Sequence, residues 1–191
     1  MTNATRKVTT AAVALAIVGW ASSATATESG TVAAGQPSLM APDARVRGVS
    51  PRMVAVINAA AGRSKTFHAL IDQIGSTDGI VYVAEGQCGH GVRACLLLAM
   101  TLMGPNRVLW ILVDPGKENC DLMGSIGHEL QHAVEVLSHR TIRSGSAMTL
   151  LYKKEGAKEG GHFETDAAIK AGNAVRGELR ENAAATKPDA R

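Results

Sequence analysis

Residues 121–138 read DLMGSIGHELQHAVEVLS, and this stretch decides the fold. At about 100° per residue, Leu122, Met123, Ile126, Leu130, Ala133, Val134 and Leu137 gather on one face, which predicts a helix backed onto a core. His128 and His132 project from the opposite side with Asp121, Ser125, Gln131 and Glu135, toward a cleft or solvent. Residues four apart stand one turn above each other on a helix. The two imidazoles can therefore grip one cation from the same side, and Glu129 beside the first can reach a water on that cation. The amphipathic pattern argues against a pair of ordinary core histidines. An accidental pair on a polar face is also a weak reading, because the three fixed letters arise by chance in about one chain of this length in a few hundred.

Working outward, Ile80-Val81-Tyr82-Val83 and Val108-Leu109-Trp110-Ile111-Leu112-Val113 are β-branched and apolar runs that predict strands. Gly104-Pro105-Asn106 reads as a turn, so residues 94–101 are expected to form the other arm of a hairpin. Ser50-Pro51 marks a helix start, and a second helix is expected from about Ser64 to Ile74. Residues 140–161 are polar and Gly-rich around the apolar knot Leu150-Leu151-Tyr152, and a final helix is expected from about Phe163 to Glu181. The expected fold is α+β: a short antiparallel sheet packed with an active-site helix and a C-terminal ligand helix.

A catalytic zinc site needs a third protein ligand and an open position. His139 lies two turns beyond His132, and Glu135 about two turns from His128; neither gives compact geometry. On the wheel of the last helix, Glu164 heads an apolar stripe of Ala167, Ala168, Ala171, Val175 and Leu179, while Asp166, Lys170, Asn173 and Arg176 face away. A carboxylate on a buried face needs a partner, and a metal ion supplies one. The competing reading makes Glu164 a first-turn acid favoured by the helix dipole.

His128-Glu129-x-x-His132 followed 32 residues later by Glu164 resembles the gluzincin branch of zinc metallopeptidases. The resemblance covers the two helices and the strand before them, under half of the chain. The metzincin extension, x-x-G-x-x-H after the second His, is absent. In thermolysin-like members an acid four residues after the ligand Glu supports the first His; here that position is Ala168. The resemblance implies Zn2+ held by His128, His132 and Glu164, with Glu129 as general base in peptide-bond hydrolysis. Tyr152 and His162 flank the site in sequence and are weak candidates for oxyanion support. The hairpin at 94–113 offers an edge for an extended peptide. Alternatives are an inactive binding protein on a zincin fold, or a zinc hydrolase of a non-peptide amide such as a cell-wall bond.

The remaining features set the context. Arg6 and Lys7, an uncharged run from Val8 to Trp20 and Ala24-Thr25-Ala26 read as a secretory signal over 1–26, followed by a flexible leader over 27–47. The peptidase domain is then expected over 48–183 and a frayed tail over 184–191. The expected location is outside the cytoplasm, secreted or periplasmic, with no stable membrane anchor after cleavage. Loss of Arg6 and Lys7 takes the net charge from +3 to +1. That balance argues against nucleic acid as a partner and leaves a peptide or protein substrate. Three cysteines allow three single pairings, which the sequence leaves open; Cys88 with Cys95, closing a short loop, is the first choice and would leave Cys120 free.

Overall fold

The computed structural model describes residues 43–185 apart from His90, Pro115, Lys117, Glu118, Gly156, Gly160 and Gly161, and the side chains of 155–162 lie outside the description. The expected signal over 1–26, most of the leader and the last six residues of the tail therefore fall outside the described residues. The elements run β1 (Val46–Gly48), α1 (Pro51–Arg63), α2 (Lys65–Gly75), β2 (Gly79–Glu85), β3 (Ala94–Leu96), β4 (Thr101–Met103) and β5 (Asn106–Val113). They continue with α3 (Cys120–Ser138), α4 (Gly145–Glu155), β6 (Ala157–Glu159), β7 (His162–Glu164) and α5 (Asp166–Ala185). The fold is α+β, as expected, and β1 begins inside the stretch read as a leader. None of the described helices is long and apolar enough to cross a membrane.

The sheet is mixed rather than antiparallel, in the order β1-β2-β5-β3, with β4 also on β5. β1, β2 and β5 run parallel, whereas β3 and β4 are antiparallel to β5. The α1–α2 pair supplies the long crossover that parallel β1 and β2 require. Ser64 joins those helices, closing α1 and accepting the Phe67 N–H at the start of α2. The single arm expected over 94–101 is split. Leu96 pairs with Ile111 but Thr101 with Val108, so two extra residues bulge out between β3 and β4. Gly104, at φ 57°, makes the two-residue turn back into β5.

Alternation along β5 turns Leu109, Ile111 and Val113 inward against the helices, all fully buried. Leu122, Ile126 and Leu130 of α3 meet them from the other side, equally buried. The same alternation sends Arg107 inward, where it has no exposed surface. Its Nε and Nη2 donate to Asp78, its Nη1 to the carbonyls of His139 (2.9 Å) and Ile142 (3.1 Å), and its Nη2 to Leu137 (2.7 Å). The guanidinium thus satisfies carbonyls that the C-terminal end of α3 leaves open. It locks that helix to the sheet.

Two elements differ from expectation. The polar stretch after α3 contains a helix, α4, with Ser144 Oγ accepting the Ala147 N–H at its start. Met148 and Tyr152, one turn apart, are buried there while Leu150 faces out. Glu164 is the last residue of β7, not a residue of the final helix. Thr165 caps that helix, its Oγ1 accepting the Ala168 N–H at 3.1 Å, so the chain is still extended at Glu164.

Candidate metal centre

α3 is buried on nearly every side, and the histidine face opens into a cleft of about 360 Å³ instead of bulk solvent. β3 lines one side, and Tyr152, Phe163 and Arg176 of α5 complete the lining. Within the cleft His128, His132 and Glu164 each present a ligand atom, and these atoms lie within 4.8 Å of one another. The three form a group that can hold a metal ion. His128 Nε2 stands 3.1 Å from Glu164 Oε2, close to the roughly 3.3 Å edge of a tetrahedron with 2.0–2.1 Å bonds. The three residues named from the sequence are thus brought together in space, with Glu164 arriving from a strand.

Each imidazole is aimed by a second group. His132 Nδ1 is 2.9 Å from Glu135 Oε2, and the other oxygen of Glu135 accepts from Thr165 Oγ1 at 2.6 Å. That pairing leaves His132 Nε2 for the cation, in the carboxylate–histidine arrangement that fixes ring and tautomer. Glu135, which the spacing set apart from His128, holds the His132 ring instead. The His128 ring is hydrogen-bonded by the main chain of Ala168 in the sense that favours its protonated form, as a carbonyl acceptor does. At the position where the gluzincin pattern carries an acid, the backbone of Ala168 takes up the contact. The Tyr152 hydroxyl donates to the His132 carbonyl at 3.0 Å, which makes it a support for α3. The His162 side chain lies outside the described set.

Glu129 projects into the same cleft with its Oε2 accepting the Leu96 N–H at 2.7 Å. That bond ties the carboxylate to the edge of β3. Burial raises the Glu129 carboxyl to about 7, with the carboxylates of Glu164 and Glu135 adding to the rise and His132 and the Leu96 N–H opposing it. Burial, His132 and Arg176 lower His128 to about 4, so its ring is neutral and ready to ligate at neutral pH. Burial also opposes charge on His132, but Glu135, Glu129 and Glu164 outweigh it and hold that ring above its ordinary value. Glu135 is held below the usual carboxylate range, its burial outweighed by the bonds from His132 and Thr165.

Those shifts have a measurable consequence. A cation must displace the proton that the carboxylates hold on His132, and it favours ionised Glu129, whereas His128 has none to lose. Uptake of a divalent ion near pH 6 is expected to release on the order of one to two protons, and the release is expected to fall as pH rises through the raised His132 pKa. Calorimetric titration in buffers of different ionisation enthalpy measures this. Equal release below and above that pKa contradicts the assignment.

Cys88 and Cys95 form the expected disulfide, with Cα atoms 5.8 Å apart, and Cys120 is free. The bridge joins the 86–93 loop to β3 beside the cleft. No family model, curated protein or solved structure matches the chain.

Proposed function

We propose that the protein is an exported zinc-dependent metallopeptidase of gluzincin type. The observation that carries this reading is the position of Glu129: a buried carboxylate pinned to a strand edge and facing the His128–His132–Glu164 group across one cleft. Two imidazoles and one carboxylate suit zinc, and a three-residue set leaves a coordination position open. When bound, zinc supplies the positive charge that makes a water nucleophilic at neutral pH and polarises a carbonyl.

The chain's own residues do the rest. Glu129 Oε1 is the oxygen not bonded to Leu96, and it lies 4.0 Å from His128 Nε2, at the ligand group. It takes the proton of the attacking water and passes it to the leaving amine. Its raised pKa suits both transfers, because a base titrating near the working pH can also give its proton back.

β3 offers the substrate a template. Arg93 and Leu97 turn their backbone toward β5, so Ala94 and Leu96 turn theirs toward the cleft, and the Leu96 N–H already bonds Glu129. Among the described residues the Ala94 N–H and C=O and the Leu96 C=O carry no hydrogen bond, which leaves them for an extended peptide added along that edge. This arrangement favours a peptide over a compact non-peptide amide, and the intact Glu129 speaks against an inactive scaffold.

The reading is tested on a randomised fluorogenic peptide pool. Hydrolysis is expected to disappear on chelation and to return with stoichiometric zinc. A zinc-loaded protein that cleaves no peptide refutes it.

A further inference from the structure

One wall of the cleft carries a charge that hydrolysis does not use. Arg176 leaves α5 and lies across α3 at Gly124, where a Cβ would stand 2.2 Å from its Cγ and 3.0 Å from its Cδ. Gly172 thins the other helix at the same crossing, since a Cβ there would meet the Gly124 carbonyl oxygen and the His128 Cβ at 3.0 Å each. The two glycines let α3 and α5 approach closely and give the arginine stem a groove. The groove delivers the half-buried guanidinium to the lining of the cleft beside Ser125 and His128. Its field reaches the His128 ring.

Among the described residues no carboxylate lies within ion-pair distance of Arg176 and no hydrogen bond holds it. The nearest acid along α3, Asp121, is bonded to Arg180 instead. The surroundings add positive potential. Arg93, also on the cleft lining, donates to Asn119 Oδ1 at the cap of α3, and the N-terminal end of a 19-residue helix favours an anion. The cleft is therefore polarised along α3, with cations at the N-terminal end and Tyr152 stacked on Phe163 at the other.

We propose that the cleft selects substrates bearing a carboxylate, and that Arg176 is the residue that anchors it. The inference rests on the peptidase reading for the kind of substrate. A planar guanidinium on an ordered stem matches a carboxylate in a bidentate pair. The guanidinium lies beyond the stem: its Nη2 is 3.6 Å from where a Cβ on Gly172 would stand, and that point is 3.0 Å from the His128 Cβ. Together these put it within about two residues of extended peptide from His128. The anchored group is thus an acidic side chain, or the chain-terminal carboxylate, within about two residues of the bond cut.

Binding is measured on the zinc-loaded full chain carrying Glu129→Gln, with dye-labelled randomised hexapeptide pools. One pair of pools differs only in Glu against Gln at a fixed position, and a second pair only in a free against an amidated C-terminus. We expect a preference of about tenfold or more for one carboxylate pool over its carboxamide twin. The pair that shows it tells a side chain from a chain end. Arg176→Met, which keeps the stem on Gly124, is expected to erase the preference while leaving binding of the carboxamide pools and zinc content unchanged. Should Arg176→Met fail to fold, Arg176→Lys serves in its place: retained charge without the bidentate fork is expected to reduce the preference several-fold. No binding to any pool, no preference, or a preference that survives the change at Arg176 overturns the inference. Wild-type protein that binds with this preference but cleaves none of the pools refutes the peptidase reading and leaves the anchor standing.

Discussion

Arg107→Ala is expected to cost about 3–5 kcal/mol of folding stability, because it empties a buried cationic site and strips its partners at once. For a domain of this size that is a fall in Tm of about 10 °C. The Leu137, His139 and Ile142 carbonyls lose their donor at the buried end of α3, and Asp78 loses its counter-charge. The Arg107 bond holds the Asp78 carboxyl below its ordinary value, against a smaller opposing effect of burial. The contribution of the pair is therefore in place above the ordinary carboxylate range. It is lost as pH falls through the lowered pKa. Chemical denaturation of wild type and variant at neutral and acid pH checks both claims. A loss under about 1 kcal/mol, the range of exposed ion pairs, contradicts the burial of this site.

Glu129→Gln is expected to lower kcat for peptide hydrolysis by about 10²–10⁴-fold, with KM and zinc content little changed. The side-chain oxygen of Gln can still accept the Leu96 N–H, so the geometry of the cleft survives while the base is removed. Because the base works ionised, wild-type activity falls as pH drops through the Glu129 pKa. A bound cation lowers that value below about 7. The residual activity of the variant should lack this acid limb. Loss of zinc together with activity would make Glu129 a structural residue, and unchanged turnover would remove it from the chemistry.

How much of this could be read from the chain differs by element and has physical causes. α3 was legible because its apolar positions recur with the helical period and its histidines fall on the complementary face. The group that can hold a metal was legible as well, but the wheel started the last helix three residues too early, at about Phe163 instead of Asp166. Thr165-Asp166-Ala167-Ala168 carries a capping residue, and reading it would have ended the helix after Glu164 in the N-terminal direction. α4 was missed because Lys153, Lys154 and an outward Leu150 blur its stripe, leaving only Met148 and Tyr152 to mark the inner face.

The run from 94 to 101 is apolar throughout, so nothing in its pattern announces the bulge between β3 and β4. Arg107 could have been found: it shares alternation with Leu109, Ile111 and Val113, which put a charge on the inward face and demanded a partner. Arg176 was read as facing away from the apolar stripe of α5, yet it lies half-buried across α3 at Gly124. What the wheel could not give was the neighbour on that side. The close crossing at Gly124 and Gly172 is a property of two helices and appears in neither alone.

The group of His128, His132 and Glu164 is the claim on which the rest depends, and metal analysis with X-ray absorption on the full chain addresses it most directly. The expected result is one zinc per chain, with nitrogen and oxygen scatterers at about 2.0–2.2 Å and no sulfur. Glu164→Ala is expected to weaken zinc binding sharply. A chain that takes up no zinc, a sulfur scatterer near 2.3 Å, or zinc retained equally well without Glu164 would contradict the account.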